Sequence, residues 1–188
     1  MGYDQVWLTG FMATGKSRLA RPIAAALGWE ALDVDDLVQK TAGDDIPTIF
    51  RRGGEAAFRV LESQVIEELA DRGQIVVATG GGSVLAEANR VAMRRHGWIA
   101  WLDARPETIA RRIIESRARA SERPLLDGDD PLQRIIALRA EREPLYAQAD
   151  FSLQTDDLTP DQCAHQILTA FQQTRSARGR AGGPGTAA

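Results

Sequence analysis

An eight-residue loop motif constrains the fold of this chain more than any other feature of its sequence. Residues 10–17 read Gly-Phe-Met-Ala-Thr-Gly-Lys-Ser, which fits G-x-x-x-x-G-K-S, and they lie between an apolar strand pattern and a helical pattern that begins at Lys16. Main-chain N–H groups of such a loop and of the following helix surround phosphate groups. We therefore expect Lys16 to reach the β- and γ-phosphates and the Ser17 hydroxyl to ligate Mg²⁺. A glycine turn with an unrelated lysine would explain neither flank.

Short β-branched or aromatic runs alternate with amphipathic runs along the chain, which is typical of βα units that build a parallel sheet. We predict strands at Gln5–Thr9, Trp29–Leu32, Gln74–Thr79, Trp98–Leu102 and Phe151–Gln154. The clearest helix is predicted at Glu55–Ala70, where apolar residues recur on one face, and Gly73 follows it as a stop signal. The sequence therefore predicts an α/β fold with one domain at residues 1–174.

Composition limits the partners of the chain. A net charge of −3 over 188 residues argues against a broad nucleic-acid or anionic-membrane surface, and no apolar run approaches the length of a bilayer span. The single cysteine and two histidines give no disulfide and no zinc-type spacing. We expect a cytoplasmic monomer that binds a small molecule, without a nucleic-acid or membrane partner. Residues 175–188 lack apolar periodicity and are predicted to form a disordered tail.

Two carboxylates follow the second predicted strand, in Asp33-Val34-Asp35. If the strand stays extended through them, Asp33 and Asp35 point the same way at the carboxyl edge of the sheet, where open α/β folds bind ligands. One carboxylate could hold Mg²⁺ through its waters while the other accepts the proton of an attacking hydroxyl. The alternative is a helix N-cap formed by Asp33 or Asp35, although Asp36 is the better candidate for that role.

A glycine run follows the third predicted strand, at Gly80-Gly81-Gly82, so it too lies at the carboxyl edge of the sheet. Bare main-chain amides of this kind allow a ligand to approach closely, and an ordinary turn between a strand and a loop is the alternative.

Three arginines are candidates for binding an anionic ligand, because the planar guanidinium fork suits carboxylates and phosphates. Arg59 lies on the long helix between Glu55 and Glu62, so a surface ion pair is its structural alternative. Arg123 lies in a polar stretch typical of a mobile lid. Arg142 lies near the end of a predicted helix, where a favourable interaction with the helix C-terminus would also explain it.

Six segments, taken in order, resemble shikimate kinase. They are residues 10–17, residues 33–35, Gly-Glu-Ala-Ala-Phe-Arg at 54–59, Thr-Gly-Gly-Gly at 79–82, Arg-Pro-Leu-Leu at 123–126 and Arg-Glu-Pro-Leu-Tyr at 142–146. The resemblance extends from Val6 to about Phe171. It implies a fold like that of nucleoside monophosphate kinases, with a five-stranded parallel sheet, helices on both faces, a substrate-binding subdomain at about 34–62 and a lid at about 114–128.

The resemblance also implies a reaction, namely transfer of the γ-phosphate of ATP to the 3-hydroxyl of shikimate with Mg²⁺ as cofactor. A kinase of another small hydroxy acid, such as gluconate, and a non-catalytic nucleotide-binding module are the alternatives. By position, the implied catalytic residues are Lys16, Asp35 and Arg123, and the implied metal site is Ser17 with Asp33. The implied shikimate-binding residues are Asp35, Phe58, Arg59, Gly80, Gly81, Gly82, Pro124 and Arg142, with Ile46 and Phe50 as further apolar walls.

The implied nucleotide-binding residues are Gly10, Ala13, Thr14, Gly15, Lys16, Ser17, Arg18, Arg117, Arg123 and Pro160. Two of them depart from the family pattern, since Ala13 stands where glycine is frequent and Arg18 where threonine is common. The arginine that stacks on adenine is not aligned uniquely. We expect Arg117 to take that role, with Arg112 and Arg119 as alternatives.

Overall fold

The computed structural model describes residues 3–117 and 130–181. Five strands, β1 to β5, form one sheet in the order β2-β3-β1-β4-β5, and every neighbouring pair is parallel. The strands are β1 Gln5–Thr9, β2 Glu30–Asp33, β3 Ile75–Ala78, β4 Gly97–Asp103 and β5 Phe151–Gln154. The helices are α1 Lys16–Leu27, α2 Val34–Ala42, α3 Ile46–Ala70, α4 Glu87–His96, α5 Pro106–Arg117, α6 Pro131–Tyr146 and α7 Pro160–Ala181, and a short 3₁₀ helix spans Ser83–Leu85. The predicted α/β fold with a five-stranded parallel sheet is confirmed.

Both faces of the sheet are covered by helices, and successive residues of β1 show this directly. Val6 and Leu8 pack in a core that includes Ile23 of α1. Trp7 points the opposite way into a second core with Ile66 of α3 and Met93 of α4. All five β1 residues are buried, including the polar Gln5 and Thr9 at its ends, as expected for a central parallel strand that is covered on both faces. No helix among residues 3–117 and 130–181 is long and apolar enough to cross a membrane.

The strand order brings three of the predicted ligand-binding segments to one edge. Strand β1 lies between β3 and β4, so the connection from β1 crosses over β3 to reach β2. The loop at 10–15 follows β1, the glycine run follows β3, and Asp33 ends β2. Because parallel strands end at the same side, these segments meet at the carboxyl edge beside the point where the strand order reverses.

Helix α3 starts nine residues before the predicted helix does. It begins at Ile46, where the Asp45 carboxylate accepts a hydrogen bond from the Thr48 N–H, and it is interrupted at Gly54, with φ 68° and ψ −173°. The helix predicted at Glu55–Ala70 is therefore the part after the kink. Adjacent glycines at 53 and 54 obscured the first part in the sequence, since glycine weakens any helical pattern.

The disordered-tail prediction was wrong for residues 175–181, because α7 continues through them to Ala181. The guanidinium of Arg175 lies 5.8 Å from the centre of the Trp29 ring, and that of Arg178 lies 4.1 Å from the centre of the Tyr3 ring. Such cation–π contacts stabilise a helix end that has no apolar periodicity of its own. The remaining residues of the predicted tail, 182–188, lie outside the described part of the chain.

The start of α5 is joined to the end of β5 through the carboxylate of Asp156. Its side chain is 3% exposed, and it accepts hydrogen bonds from the Arg105 N–H at 3.0 Å and the Gln154 amide at 2.9 Å. Burial raises the pKa of this carboxyl, but hydrogen bonds from Thr108 and Arg105 outweigh that effect and hold the pKa at about 2.

We predict that Asp156→Asn lowers the free energy of unfolding at pH 7 by about 1–2 kcal/mol. The folded pKa of about 2 lies below the ordinary value of 3.8, so the carboxylate contributes stability above that value, and the contribution is lost as pH falls towards 2. Urea unfolding should therefore show a difference between variant and wild type that is much smaller at pH 2 than at pH 7. Asp157→Asn is the control, since its carboxylate is 86% exposed and faces the same arginine. An equal loss at both pH values would contradict this role.

Candidate functional site

The loop after β1 has the backbone shape that its glycines predict. Gly10 has a φ of +133°, and a Cβ there would lie 2.1 Å from the carbonyl oxygen of Leu102, so no other residue fits. Gly15 caps α1 with a φ of +103°. Ala13 also has a positive φ, of 60°. This explains why glycine suits position 13 and indicates that alanine adds roughly 1–2 kcal/mol of local strain.

Lys16 lies within the curve of this loop and is only 7% exposed. Its Nζ donates hydrogen bonds to the carbonyl oxygens of Gly10 at 2.8 Å and Phe11 at 2.7 Å. The Thr14 hydroxyl donates to the same Phe11 oxygen at 2.9 Å, which closes the loop on itself. Ser17 is exposed on the first turn of α1. The sequence prediction of a strand, a loop and a helix that begins at Lys16 is confirmed.

An open cleft of about 1020 Å³ runs along the carboxyl edge of the sheet. The loop at 12–18 forms part of its wall, and Asp35, Arg59 and Arg142 line the same cleft from three separate helices. Side chains more than 100 residues apart in sequence therefore face one space together with Lys16.

Strand β2 does not stay extended through both carboxylates, so the prediction of one strand through Asp33 and Asp35 was wrong. Strand β2 ends at Asp33, and α2 begins at Val34, which is fully buried. The Asp33 carboxylate caps α2 by accepting the Asp35 N–H at 3.0 Å, so Asp33 rather than Asp36 is the N-cap. Asp35 lies in the first turn of α2 and lines the cleft. The helix start, rather than strand alternation, sets the direction of Asp35.

The glycine run packs tightly against the acidic and basic side chains of the cleft. A Cβ at Gly80 would lie 2.6 Å from Oε1 of Glu62 and 3.2 Å from Oδ1 of Asp35, so both carboxylates approach this glycine. A Cβ at Gly82 would lie 2.2 Å from Nη2 of Arg59. The absence of side chains at Gly80 and Gly82 therefore makes room for charged side chains of the protein itself, whereas close approach of a ligand to this run stays a prediction.

Glu62 is a site residue that sequence reasoning missed, because it was considered only as a surface partner of Arg59. It is fully buried on α3. It accepts hydrogen bonds from Arg59 Nη1 at 2.6 Å and from the Ser83 hydroxyl at 2.5 Å. Glu55, the other partner of Arg59, is 54% exposed. The spacing of three residues between Arg59 and Glu62 indicates an ion pair in the sequence, but only the fold shows that Glu62, and not Glu55, is the buried partner.

Glu62 determines the electrostatics of Arg59. Burial lowers the pKa of the Arg59 guanidinium, but the negative charges of Glu62 and Glu55 more than offset it, so the pKa is raised overall. A buried ion pair of this kind is costly to break, since removal of one partner leaves the other charge without compensation. Arg59 is therefore held in one position beside Gly82 rather than left as an exposed surface arginine.

Arg142 reaches the cleft from the last turns of α6 and is 5% exposed. Its Nη1 donates to the carbonyl oxygen of Gly81 at 3.2 Å, and Tyr146 donates its hydroxyl to the same oxygen at 2.5 Å. Burial raises the pKa of the Tyr146 hydroxyl to about 12, so it acts as a hydrogen-bond donor at neutral pH. The Arg142 Nε has no partner among the described residues, although it is buried. Its guanidinium lies 5.6 Å from the centre of the Phe11 ring.

One end of the cleft lies between α5 and α7. Arg112 donates hydrogen bonds to the carbonyl oxygen of Ala13 at 3.3 Å and that of Thr155 at 2.7 Å. Pro160 and the buried Cys163 line the same end. Of the arginines considered for adenine stacking, Arg112 is thus the one that the described part of the cleft contains.

Several predicted site residues fall on the segment between α5 and α6. The backbone of Arg117 ends α5, but its side chain lies outside the described residues, as do Arg119, Arg123 and Pro124. Residues 114–117 of the predicted lid form the last turn of α5, and the rest of that lid also lies outside.

The opposite end of the cleft is apolar. Phe50 and Phe58 pack with ring centres 5.1 Å apart, and Ile46 and Pro47 line the cleft beside them. These residues come from both parts of α3, on either side of its kink, so the kink at Gly54 shapes this wall.

Comparison with known proteins identifies relatives over most of the chain. The family model described as shikimate kinase matches residues 12–172. A shikimate kinase of Symbiobacterium thermophilum is 42% identical over 176 residues, which cover 92% of this chain and 98% of that protein. A shikimate kinase of Parasynechococcus marenigrum is 41% identical over 168 residues, covering 89% and 86%.

Solved structures agree with the sequence comparison. The structure of shikimate kinase from Acinetobacter baumannii in complex with shikimate has a TM-score of 0.84 at 32% identity, covering 91% of this chain and 94% of that one. Shikimate kinase from Aquifex aeolicus has a TM-score of 0.72 at 30% identity, covering 96% and 99%.

We predict that Gly10→Ala weakens ATP binding at least about tenfold, because the new Cβ would overlap the Leu102 carbonyl oxygen and displace the loop that surrounds Lys16. Equilibrium titration with a non-hydrolysable ATP analogue is the measurement. Gly28→Ala is the matched control, since Gly28 has a φ of +69° at the end of α1 but a Cβ there meets nothing within 4 Å. The control should lose stability and keep its affinity. Equal affinities for the two variants would contradict the assigned contact.

Proposed function

Because the chain belongs to the shikimate kinase family, we propose that it transfers the γ-phosphate of ATP to the 3-hydroxyl of shikimate and so forms shikimate 3-phosphate. The observation that carries this proposal is the convergence of Asp35, Arg59 and Arg142 with Lys16 around one cleft. A phosphate-binding loop alone would fit many kinases. Two buried or half-buried arginines opposite it supply a site for a second, carboxylate-bearing ligand.

We propose that Arg59 and Arg142 bind the shikimate carboxylate and that Asp35 accepts a hydrogen bond from the 3-hydroxyl. Glu62 restricts Arg59, and the Gly81 carbonyl restricts Arg142, so both forks are positioned before the ligand arrives. Phe58 and Phe50 would contact the apolar side of the ring. Preorganised groups of this kind lower the cost of ordering on binding.

Nucleotide binding is proposed for the loop at 10–18, with Lys16 on the transferred phosphoryl group. We propose that the adenine lies between Arg112 and Pro160, since both line the same end of the cleft as the loop. Arg123, which lies outside the described residues, is proposed from the resemblance as a further cation for the phosphates. A lid arginine in this role contributes by meeting charge that develops in the transition state.

The residues near the loop fit a Mg²⁺ ion that is bound mainly by phosphate oxygens. No group of three or more acidic, histidine or cysteine side chains among the described residues forms a metal cluster. Mg²⁺ in phosphoryl-transfer sites takes only one or two protein oxygens, and Ser17 supplies one at the cleft. Asp33 carries a carboxylate that could bind a metal-bound water beyond the hydrogen bond it accepts. The ion would neutralise charge on the phosphates.

Asp35 is the proposed general base of the reaction. It lies on the first turn of α2, beside Gly80 and across the cleft from the loop. In this position it would orient the 3-hydroxyl and take its proton as the oxygen attacks phosphorus. Positioning and charge stabilisation then account for most of the acceleration, as is usual for phosphoryl transfer.

The decisive experiment measures ADP release at fixed Mg²⁺ with shikimate, with gluconate and with neither. We expect release to depend on shikimate and the product to be shikimate 3-phosphate by mass spectrometry. Dependence on gluconate would replace the proposed substrate, and ATP binding without turnover on either acid would reduce the protein to a nucleotide-binding module.

We predict that Asp35→Asn lowers kcat at least about a hundredfold, because an amide cannot accept the proton of the 3-hydroxyl. The apparent affinity for ATP should change little, since Asp35 is not part of the loop. Steady-state kinetics with each substrate varied in turn provide the measurement. A mild loss of kcat, or a parallel loss of ATP affinity, would rule out this role.

We predict that Glu62→Gln raises KM for shikimate about five- to tenfold, since Arg59 loses its buried counter-charge and its fixed position. Glu55→Gln is the matched control, because Glu55 pairs with the same guanidinium but is 54% exposed. That control should stay within about twofold of wild type. If both variants behave alike, burial of Glu62 does not set the position of Arg59.

We also propose that the protein acts as a monomer in the cytoplasm. The free cysteine is buried, which suits a reducing compartment.

A further inference from the structure

An ion pair outside the cleft joins α6 to the end of β4. Arg139 donates from Nε to Oδ1 of Asp103 at 3.1 Å and from Nη2 to Oδ2 at 2.6 Å, which is a two-pronged contact. Its Nη1 also donates to Glu143 at 3.0 Å. The Arg139 side chain is 20% exposed and that of Asp103 is 11% exposed. An ion pair with this geometry and burial differs from a solvated surface pair, which contributes little.

Asp103 ends β4, and its main chain contacts a segment at the proposed adenine end of the cleft. Its carbonyl oxygen accepts hydrogen bonds from the N–H of Thr155 at 2.8 Å and from the Thr155 hydroxyl at 2.9 Å. Thr155 in turn binds Arg112 at the proposed adenine end. The residue before Asp103 is Leu102, whose carbonyl oxygen lies against Gly10 of the loop. The main chain of Asp103 therefore helps to hold the segments that we propose for nucleotide binding.

The side chain of Asp103 contacts α6, the helix that carries Arg142 into the cleft. Arg139, Arg142 and Tyr146 recur at offsets of three and seven residues, so they share one face of that helix. Arg142 and Tyr146, three and seven residues after Arg139, both donate to the Gly81 carbonyl oxygen. A helix held by a fork at Arg139 cannot slide or rotate without moving Arg142.

We propose that Asp103 and Arg139 are positioning residues that fix α6 on the sheet and so place the Arg142 guanidinium for the carboxylate of the acceptor. This inference rests on the proposed function, since it assigns Arg142 to the shikimate carboxylate. Asp103 and Arg139 do not line the cleft themselves. They act through Arg142, and their side chains leave the main chain that supports the loop unchanged.

The test compares Arg139→Met, Arg139→Lys and Asp103→Asn in steady-state kinetics and in calorimetric titration with shikimate. We expect Arg139→Met and Asp103→Asn to raise KM and Kd for shikimate about tenfold, the usual scale of coupling between residues in contact. KM for ATP and kcat should stay within about twofold, since Lys16 and Asp35 keep their supports. Arg139→Lys should fall between wild type and Arg139→Met, because a point charge keeps the attraction but loses the fork.

A double variant tests whether Asp103 and Arg139 act through their ion pair or independently of each other. If the two side chains act together, Asp103→Asn combined with Arg139→Met should raise KM for shikimate no more than either change alone. Asp103→Asn is nearly isosteric, so it keeps the question answerable if Arg139→Met fails to fold.

Two controls distinguish positioning from general destabilisation. Arg134→Met makes the same substitution on the same helix at an exposed position. Arg95→Met breaks an ion pair of similar reach between α4 and the end of α3, with Glu67 and Asp71. Both should leave KM for shikimate at the wild-type value, even where Arg95→Met lowers the melting temperature.

Two results would overturn the inference. One is an unchanged KM for shikimate in Asp103→Asn and Arg139→Met, and the other is a loss of kcat with both KM values unchanged. Failure of the proposed function looks different, since the wild-type protein would then release no ADP in response to shikimate.

Discussion

The burial of β1 between β3 and β4, with helices on both faces, is the constraint on which the rest of this structure depends. Strand β1 ends at the carboxyl edge of the sheet. There the main chain at Gly10 passes so close to β4 that a Cβ would lie 2.1 Å from the Leu102 carbonyl oxygen. This close approach fixes glycine at position 10 and places the loop around Lys16. The same edge receives the glycine run from β3, so the loop and the glycine run become neighbours although they lie far apart in the sequence.

Three cations that line the cleft are each restrained by a hydrogen-bond acceptor. Lys16 is held by loop carbonyl oxygens, Arg59 by the buried carboxylate of Glu62, and Arg142 by the Gly81 carbonyl. A carboxylate as buried as Glu62 is expensive to desolvate, and the hydrogen bonds from Arg59 and Ser83 offset that cost. The arrangement sacrifices some stability for fixed guanidinium positions, which is what recognition of a small anionic acceptor requires.

The same logic extends beyond the cleft to α6. Ile135, Arg142 and Tyr146 are its buried side chains, and Leu138 and Leu145 pack partly buried against the cores. Polar contacts to Gly81 and Asp103 add directional restraints to this apolar packing. Directional hydrogen bonds specify a position more sharply than apolar contact does, since a shift of about 1 Å breaks them.

Local patterns were sufficient for the regular elements and for the loop. Strand β1 and strand β5 have the predicted bounds, the helix after the loop begins at Lys16, and Pro160 opens the last helix as expected. These features depend on residues adjacent in sequence, whose steric and hydrogen-bonding preferences act locally. Where the pattern was ambiguous, local reasoning failed. The strand ends at Asp33, which caps α2, instead of continuing to Asp35, and α7 continues to Ala181 with contacts of Arg175 and Arg178 to distant rings.

By itself, the sequence determined the parallel α/β fold, the loop around Lys16 and the residue types available for an anionic acceptor. Only the tertiary structure decided that Asp35 faces the cleft while Asp33 caps its helix, that Glu62 rather than Glu55 is the buried partner of Arg59, and that Arg112 lines the cleft together with Pro160. The physical reason is that burial and direction depend on elements distant in sequence, whereas the spacing of charges along one helix is the same whether a side chain meets solvent or core.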